Sequence, residues 1–299
     1  MIPREFGRTG IKLSPITFGS MRLDSKRIEF DDALKLIDYL YNSGINTFHS
    51  SHEYATDAFF CQVIQRFRDL NPDAEVVHIA KIGVPHFDEA EFNGARLIAL
   101  VEQRLKQLKT ERLDLVQWLV RHQTNDDRHR LSILADCQQE LNETWSKLQR
   151  EGKVGMLTSF PYSVPFAQEV LQIPDCKGLV TYLNLLELEM TPLLDTMEQA
   201  GQGYVAIRPL CGGLITCANV EDGGNKTDES KQLQAIISTL NIPIANVTKF
   251  AVQFPLLHPA VASVMVSVTS LKHAAEIISG VNDAKSDRAA FARIAKSVS

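Results

Sequence analysis

Eight short apolar runs, each followed by a helix-length segment, constrain this chain more than any other feature. The runs are ITFGSM (16–21), NTFHS (46–50), VVHIAKI (76–82), LDLVQWLV (113–120), VGMLTSF (154–160), GLVTYLN (178–184), YVAIRPL (204–210) and SVMVSVT (263–269). Helical periodicity fills 31–43, 58–70, 95–108, 132–150, 165–172, 191–200, 245–257 and 271–280. Strands separated by such segments pair in parallel through right-handed crossovers. Eight repeats of this unit predict a closed barrel, which needs ~250 residues. The chain has 299, so loops and end helices account for the excess. We therefore expect one α/β domain over 1–299, a (β/α)8 TIM barrel. The opening PREFGRTGIKLSP reads as a β-hairpin turning at Arg8-Thr9-Gly10 and plugging the barrel's bottom.

Local signals agree with this reading. Asp31 and Asp32 place carboxylates at a helix start. Gly44 and Gly152 supply left-handed caps where two helices should end. The polar, Gly-rich stretch 217–227 lacks periodicity and reads as a loop on the face beyond the seventh strand.

Charge and cysteine usage narrow the function classes. A net charge of −5 argues against a general nucleic-acid or anionic-membrane role. Five widely spaced cysteines without a C-x-x-C predict reduced thiols and a cytoplasmic setting. The N-terminal segment has no apolar core of a signal peptide. The most apolar stretch, 250–268, is interrupted by Gln253, Pro255, His258 and Pro259, so no membrane span is expected.

Barrels of this kind carry their chemistry at the carboxyl ends of the strands. Those positions hold Gly19-Ser20-Met21, His49 to Tyr54, Lys81, Leu119 to His122, Ser159, Asn184, Arg208 to Gly213 and Ser267 to Lys272. A tyrosine works poorly as an acid–base group unless a nearby ammonium stabilises its phenolate, so Tyr54 and Lys81 are the natural pair. Taken singly, each also reads as an ordinary surface tyrosine or a lysine with a buried stem.

The segments FGRTGIKLSPITFGSM, Gly44 to Phe48 followed by Tyr54, Ala80-Lys81, Leu113 to Gln117, and Arg208-Pro209-Leu210-x-Gly212-Gly213-Leu214 together resemble the aldo-keto reductases over roughly 4–280. The resemblance implies hydride transfer from NADP or NAD to a small carbonyl compound. It assigns Tyr54 as proton donor and Lys81 as its tuner, with His49 in the place of the family's aspartate. It implies cofactor contacts at Gly19, Ser20, Met21, Ser159, Arg208, Leu210, Gly212, Gly213, Ser267, Thr269, Ser270 and Lys272. Lys272 leans toward a phosphate and hence toward NADP.

Several family positions are changed. The carbonyl-orienting histidine falls at Leu119, the nicotinamide-binding glutamine at Val180, and the stacking aromatic at Ile207. The strand-eight glycine falls at Ser267 and the adenine-contacting asparagine at Ile277. Without a carboxylate at 49, Lys81 is expected to lose its ion-pair partner, and activity to be reduced. Two other readings compete: a non-catalytic relative serving as nucleotide sensor or protein-binding subunit, and a metal-assisted hydrolase built on His49, His52, His122 and Glu53. The charge-rich stretch 121–130 reads as a solvated loop, and Cys211 as a small buried residue.

Overall fold

The hairpin forms as predicted. Strands β1 (Arg4–Glu5) and β2 (Lys12–Leu13) pair antiparallel, with Arg4 opposite Leu13. In the computed structural model the described residues are 1–87, 89–121, 127–221, 227–281 and 285–298. The eight long strands are β3 (Ile16–Gly19), β4 (Thr47–Ser51), β5 (Val77–Gly83), β6 (Leu113–Leu119), β7 (Val154–Ser159), β8 (Cys176–Tyr182), β9 (Gly203–Ile207) and β10 (Val261–Val266). They pair in parallel in sequence order, and β10 closes onto β3. This is the expected (β/α)8 barrel.

Alternation along each strand divides the core in two. Outward residues such as Phe18, Phe48, Trp118 and Leu179 pack against the surrounding helices. The inner cluster joins Ile79, Leu115, Val180, Val205 and Ala262 to Phe6 and Leu13 from the hairpin. Phe6 and Leu13 are fully buried, so the hairpin is the barrel's floor. The approach is close: a Cβ on Gly203 would lie 2.6 Å from the Phe6 ring.

The outer helices are α1 (Phe30–Asn42), α2 (Asp57–Leu70), α3 (Gly94–Leu108), α4 (Asp127–Arg150), α5 (Val164–Val170), α6 (Leu194–Ala200), α9 (Val247–Leu256) and α10 (Leu271–Val281), close to the predicted spans. Gly44 (φ 89°) and Gly152 (φ 74°) follow α1 and α4 in the left-handed conformation, as the sequence suggested. Trp145 on α4 is fully buried core.

Three further helices are additions to the sequence reading. The expected loop 217–227 begins with a short helix, α7 (Cys217–Glu221), and is followed by α8 (Asp228–Thr239), capped by the Thr227 side chain. Residues 222–226 lie outside the described residues. The third, α11 (Arg288–Val298), stacks Phe291 on Phe254 with ring centroids 5.0 Å apart. All five cysteines are free thiols. No single helix among the described residues is long and apolar enough to cross a membrane.

Candidate active site

Register brings the titratable groups together at the carboxyl end of the barrel. Ser51, Lys81 and Gln117 are aligned neighbours across β4, β5 and β6. The turn after β4 carries His52, Glu53 and Tyr54 back over this layer, helped by a 3.1 Å bond from the Tyr54 N–H to the Ser51 carbonyl.

Lys81 Nζ stands 4.7 Å from the centroid of the Tyr54 ring. The same ammonium lies 3.1 Å from Glu53 Oε2, with both side chains 12% exposed. Arg121, just past β6, bonds the same carboxylate and also donates to the Tyr162 hydroxyl at 2.8 Å. The loss of the strand carboxylate at 49 therefore does not leave Lys81 unpaired. This corrects the sequence expectation: Glu53, one residue before the tyrosine, supplies the counter-charge from the turn.

The electrostatics follow from burial and these partners. Burial lowers the Lys81 pKa; Glu53 raises it, Arg121 lowers it, and the net shift is downward. For Glu53 burial acts to raise the value, but the bonds and charges of Arg121 and Lys81 outweigh it and hold the carboxylate below its usual range. Tyr54 is pushed up, first by burial and then by the Glu53 charge, so its hydroxyl holds its proton firmly.

His49 takes a different part from the aspartate it replaces. It is 2% exposed, and its Nε2 lies 2.8 Å from Gln117 Oε1. Gln117 in turn donates to the Val180 carbonyl at 2.6 Å. Burial, with a smaller contribution from the Lys81 charge, pushes the imidazole down to about 3, so it is neutral. The proposed metal group does not assemble among the described residues: His49 is bound to Gln117, Glu53 serves Lys81 and Arg121, and His122 lies outside them. The cluster with ligand-like spacing is Asp195, Glu198 and His258, near the start of β10 at the other end of the barrel. Arg288 pairs with both of its carboxylates.

The remaining predicted positions divide. Gly212 (φ 72°) and Gly213 (φ 111°) form a turn after β9 with open space where side chains would be. Arg22 donates to the Gly212 carbonyl at 2.8 Å, and half-exposed Arg208 pairs with Glu187. Leu210 packs partly buried against the core beside this turn. Ser267 donates to the Gly19 carbonyl at 2.7 Å, tying β10 to β3, while Met21 is exposed. Ser20 is buried, with no hydrogen-bond partner for its hydroxyl among the described residues. Thr269 and Ser270 line a cleft of about 590 Å³ with Lys26, Arg27 and Lys35, and Lys272 is exposed nearby on α10.

Ser159 is not brought to the mouth. It pairs with Trp118 and Leu179 on the outward face, because the strand's alternation turns it toward the helices. Beyond it, Phe160, Tyr162 and Tyr182 form an aromatic series at the mouth, with Phe160 4.9 Å from Tyr162 and 5.2 Å from Tyr182. The stretch 121–130, expected to be a solvated loop, contributes Arg121 to the carboxylate and Arg130 to the face of Tyr162 at 4.0 Å.

The family profile described as "Aldo/keto reductase family" matches residues 15–298. The chain belongs to the aldo/keto reductase family. It is 23% identical to an L-galactose dehydrogenase of Arabidopsis thaliana over 293 residues, which is 95% of this chain and 89% of the relative. The fold is similar to that of an aldo-keto reductase from Bacillus halodurans in its holo form. The TM-score is 0.78 at 17% identity, covering 100% of this chain and 96% of the other. Members of the family are oxidoreductases that typically use NAD(P)H on small carbonyl compounds.

The phosphate end of such a cofactor fits this aldo/keto reductase. The glycine turn is open and two guanidinium groups, Arg22 and Arg208, flank it. The two family positions expected to hold the ring are apolar. Val180 and Ile207 belong to the inner cluster. Two side-chain amides lie nearby, and both are committed: Gln117 to His49 and the Val180 carbonyl, and Asn184 to Glu187 and the Arg208 carbonyl.

Proposed function

We propose that this barrel reduces small aldehydes or ketones with NAD(P)H, using Tyr54 as proton donor and Lys81 as the cation that steadies the resulting phenolate. The observation that carries this reading is the Lys81 ammonium over the Tyr54 ring, 4.7 Å from its centroid, at the barrel mouth. The bound cofactor supplies a hydride to the carbonyl carbon. The chain supplies a proton to the oxygen. Tyr54 keeps its proton at neutral pH and releases it to a developing alkoxide, a far stronger base. The ammonium beside the ring stabilises the negative charge left behind.

Gly212, Gly213, Leu210, Arg208, Gly19, Ser20 and Met21 would hold the phosphate-bearing part of the cofactor. Ser267, Thr269, Ser270 and Lys272 would hold its adenosine end. NADP is favoured over NAD because Lys26 and Arg27 line the cleft that Thr269 and Ser270 share, where Glu29 and an Asp32–Lys35 ion pair complete the charged lining. The whole chain acts as one catalytic domain.

Turnover is below that of a relative with a full set of orienting groups. Leu119, 1% exposed, gives the carbonyl oxygen no donor. A missing donor to a developing oxyanion typically costs ~10²–10³ in rate. His49, neutral and bound to Gln117, contributes no proton.

The test is NADPH and NADH oxidation with a panel of aldehydes, quinones and sugars. L-galactose is included because the Arabidopsis relative is named for it. Slow oxidation that disappears in Tyr54→Phe is expected. No consumption above the Tyr54→Phe background ends the proposal. NADPH binding by fluorescence without turnover would make the chain a nucleotide-binding relative instead, a reading favoured by the apolar residues at positions 180 and 207.

A further inference from the structure

A buried lysine needs a compensating charge, and β4 offers none. Its inward residues are Thr47, His49 and Ser51, and burial keeps His49 neutral. Position 49 is occupied by a closed chain of neutral hydrogen bonds, from His49 to Gln117 to the Val180 carbonyl. An unpaired ammonium in such a layer would shed its proton or turn toward water.

The turn after β4 provides what the strand lacks. Glu53 Oε2 is 3.1 Å from Lys81 Nζ, and Oε1 is 3.5 Å from Arg121 Nε. The carboxylate lies close over the glycine that ends β5. A Cβ on Gly83 would stand 2.7 Å from Glu53 Oε1 and 3.1 Å from Arg121 Cγ. Gly83, Glu53 and Arg121 thus form one fitted unit over the end of β5. The ionisable groups facing the carboxylate are Lys81 on β5, Arg121 after β6 and His86 in the loop after β5, whose Nε2 is 4.0 Å away. His52 and Tyr54 flank it in its own turn, and Tyr162 stands behind Arg121.

We propose that Glu53 is the positioning residue of this site: from the turn, it keeps Lys81 charged and directed over Tyr54, a task that no residue of β4 performs. Its purpose rests on the reductase reading above, whereas its effect on Lys81 does not. Arg121 is the second cation that fixes the carboxylate and ties it through Tyr162 to the strand-seven side of the mouth.

The test reads Lys81 directly in the full-length protein without cofactor. Pulse acetylation with acetic anhydride across a pH series, followed by mass spectrometry of the Lys81 peptide, gives the pH midpoint at which its amine becomes free. Glu53→Gln is expected to move that midpoint down. Lys81 would then label roughly tenfold faster at a fixed pH below it, the order expected when a close opposite charge is removed. His49→Asp in the Glu53→Gln background restores the midpoint by returning a carboxylate on the strand. Glu53→Ala removes the carboxylate outright and lowers the midpoint independently, which covers the case of a poorly folding Glu53→Gln. An unmoved midpoint in Glu53→Gln or Glu53→Ala, whichever folds, overturns the proposal. If the wild-type protein reduces no carbonyl while the midpoint shifts as stated, the reductase reading falls and the role of Glu53 on Lys81 stands. Reduction with an unmoved midpoint refutes Glu53 alone.

Discussion

Arg104 is a buried charge with several polar partners, and its removal gives a quantitative test of how the β4 side of the mouth is held. The residue is fully buried on α3. One guanidinium nitrogen lies 2.6 Å from Asp57 Oδ2 and 3.0 Å from Gln107 Oε1, and another donates to Ser50 Oγ at 2.7 Å. Arg104→Met keeps most of the volume but leaves the Asp57 carboxylate buried without its cation. Breaking such a pair from one side costs about 3–5 kcal/mol. Asp57 sits in the first turn of α2, where free N–H groups still favour a negative charge. We therefore expect a loss near the lower bound, about 3 kcal/mol. That is a large part of the ~5–15 kcal/mol available to a typical native protein. Urea unfolding monitored by tryptophan fluorescence and by circular dichroism gives the value. Arg104→Met/Asp57→Asn removes the orphaned charge as well and is expected to recover more than half of the loss. A single-variant loss under about 1 kcal/mol, or a double variant no more stable than the single, would refute the claim that the pair is coupled and desolvated.

Acid stability follows from two buried imidazoles. His49 and His78 are both pushed by burial from 6.5 to about 3, so each binds a proton more readily unfolded than folded. Their contribution is complete above pH 6.5 and is lost as pH falls toward 3. Stability should decline by up to about 1.4 kcal/mol per pH unit for each group; urea midpoints measured from pH 7 to 4 check this, and a flat profile contradicts it. Leu119→His returns a donor to the mouth and should raise kcat/KM roughly tenfold, with little change in NADPH affinity; unchanged or lower kcat/KM in a folded variant argues against an unassisted carbonyl. Gly212→Val strains a left-handed turn at φ 72° and fills its open space, so NADPH binding should weaken about tenfold by fluorescence titration, whereas equal affinity would remove the turn from the cofactor site.

The barrel was legible because its signal repeats. Strand alternation, helix periodicity and terminal glycines such as Gly44 and Gly152 agree over most of the chain. Helices α7 and α8 escaped because they interrupt the repeat between β9 and α9. The buried positions of α8 (Leu233, Ile236, Ile237) offer only a brief periodicity behind a polar stretch. In the site, Tyr54 and Lys81 could be placed from strand ends alone. The counter-ion could not: a carboxylate is expected on a strand by analogy, whereas Glu53 reaches Lys81 by folding over a missing side chain at Gly83. Its one sequence signal was adjacency to the tyrosine. Ser159 was misplaced toward the mouth because one residue of register decides which face of a strand a side chain occupies.

The hairpin floor has a consequence for biosynthesis. Phe6 and Leu13 rest on groups translated much later than they are: Val180, Val205 and Ala262 complete their cluster, and the Arg8 N–H bonds the Gly201 carbonyl at 2.8 Å. Until those later strands are made, these two apolar side chains have no permanent partner, leaving the hairpin open to chaperones and to aggregation. Sealing the base thus waits for β10, the strand that closes the barrel.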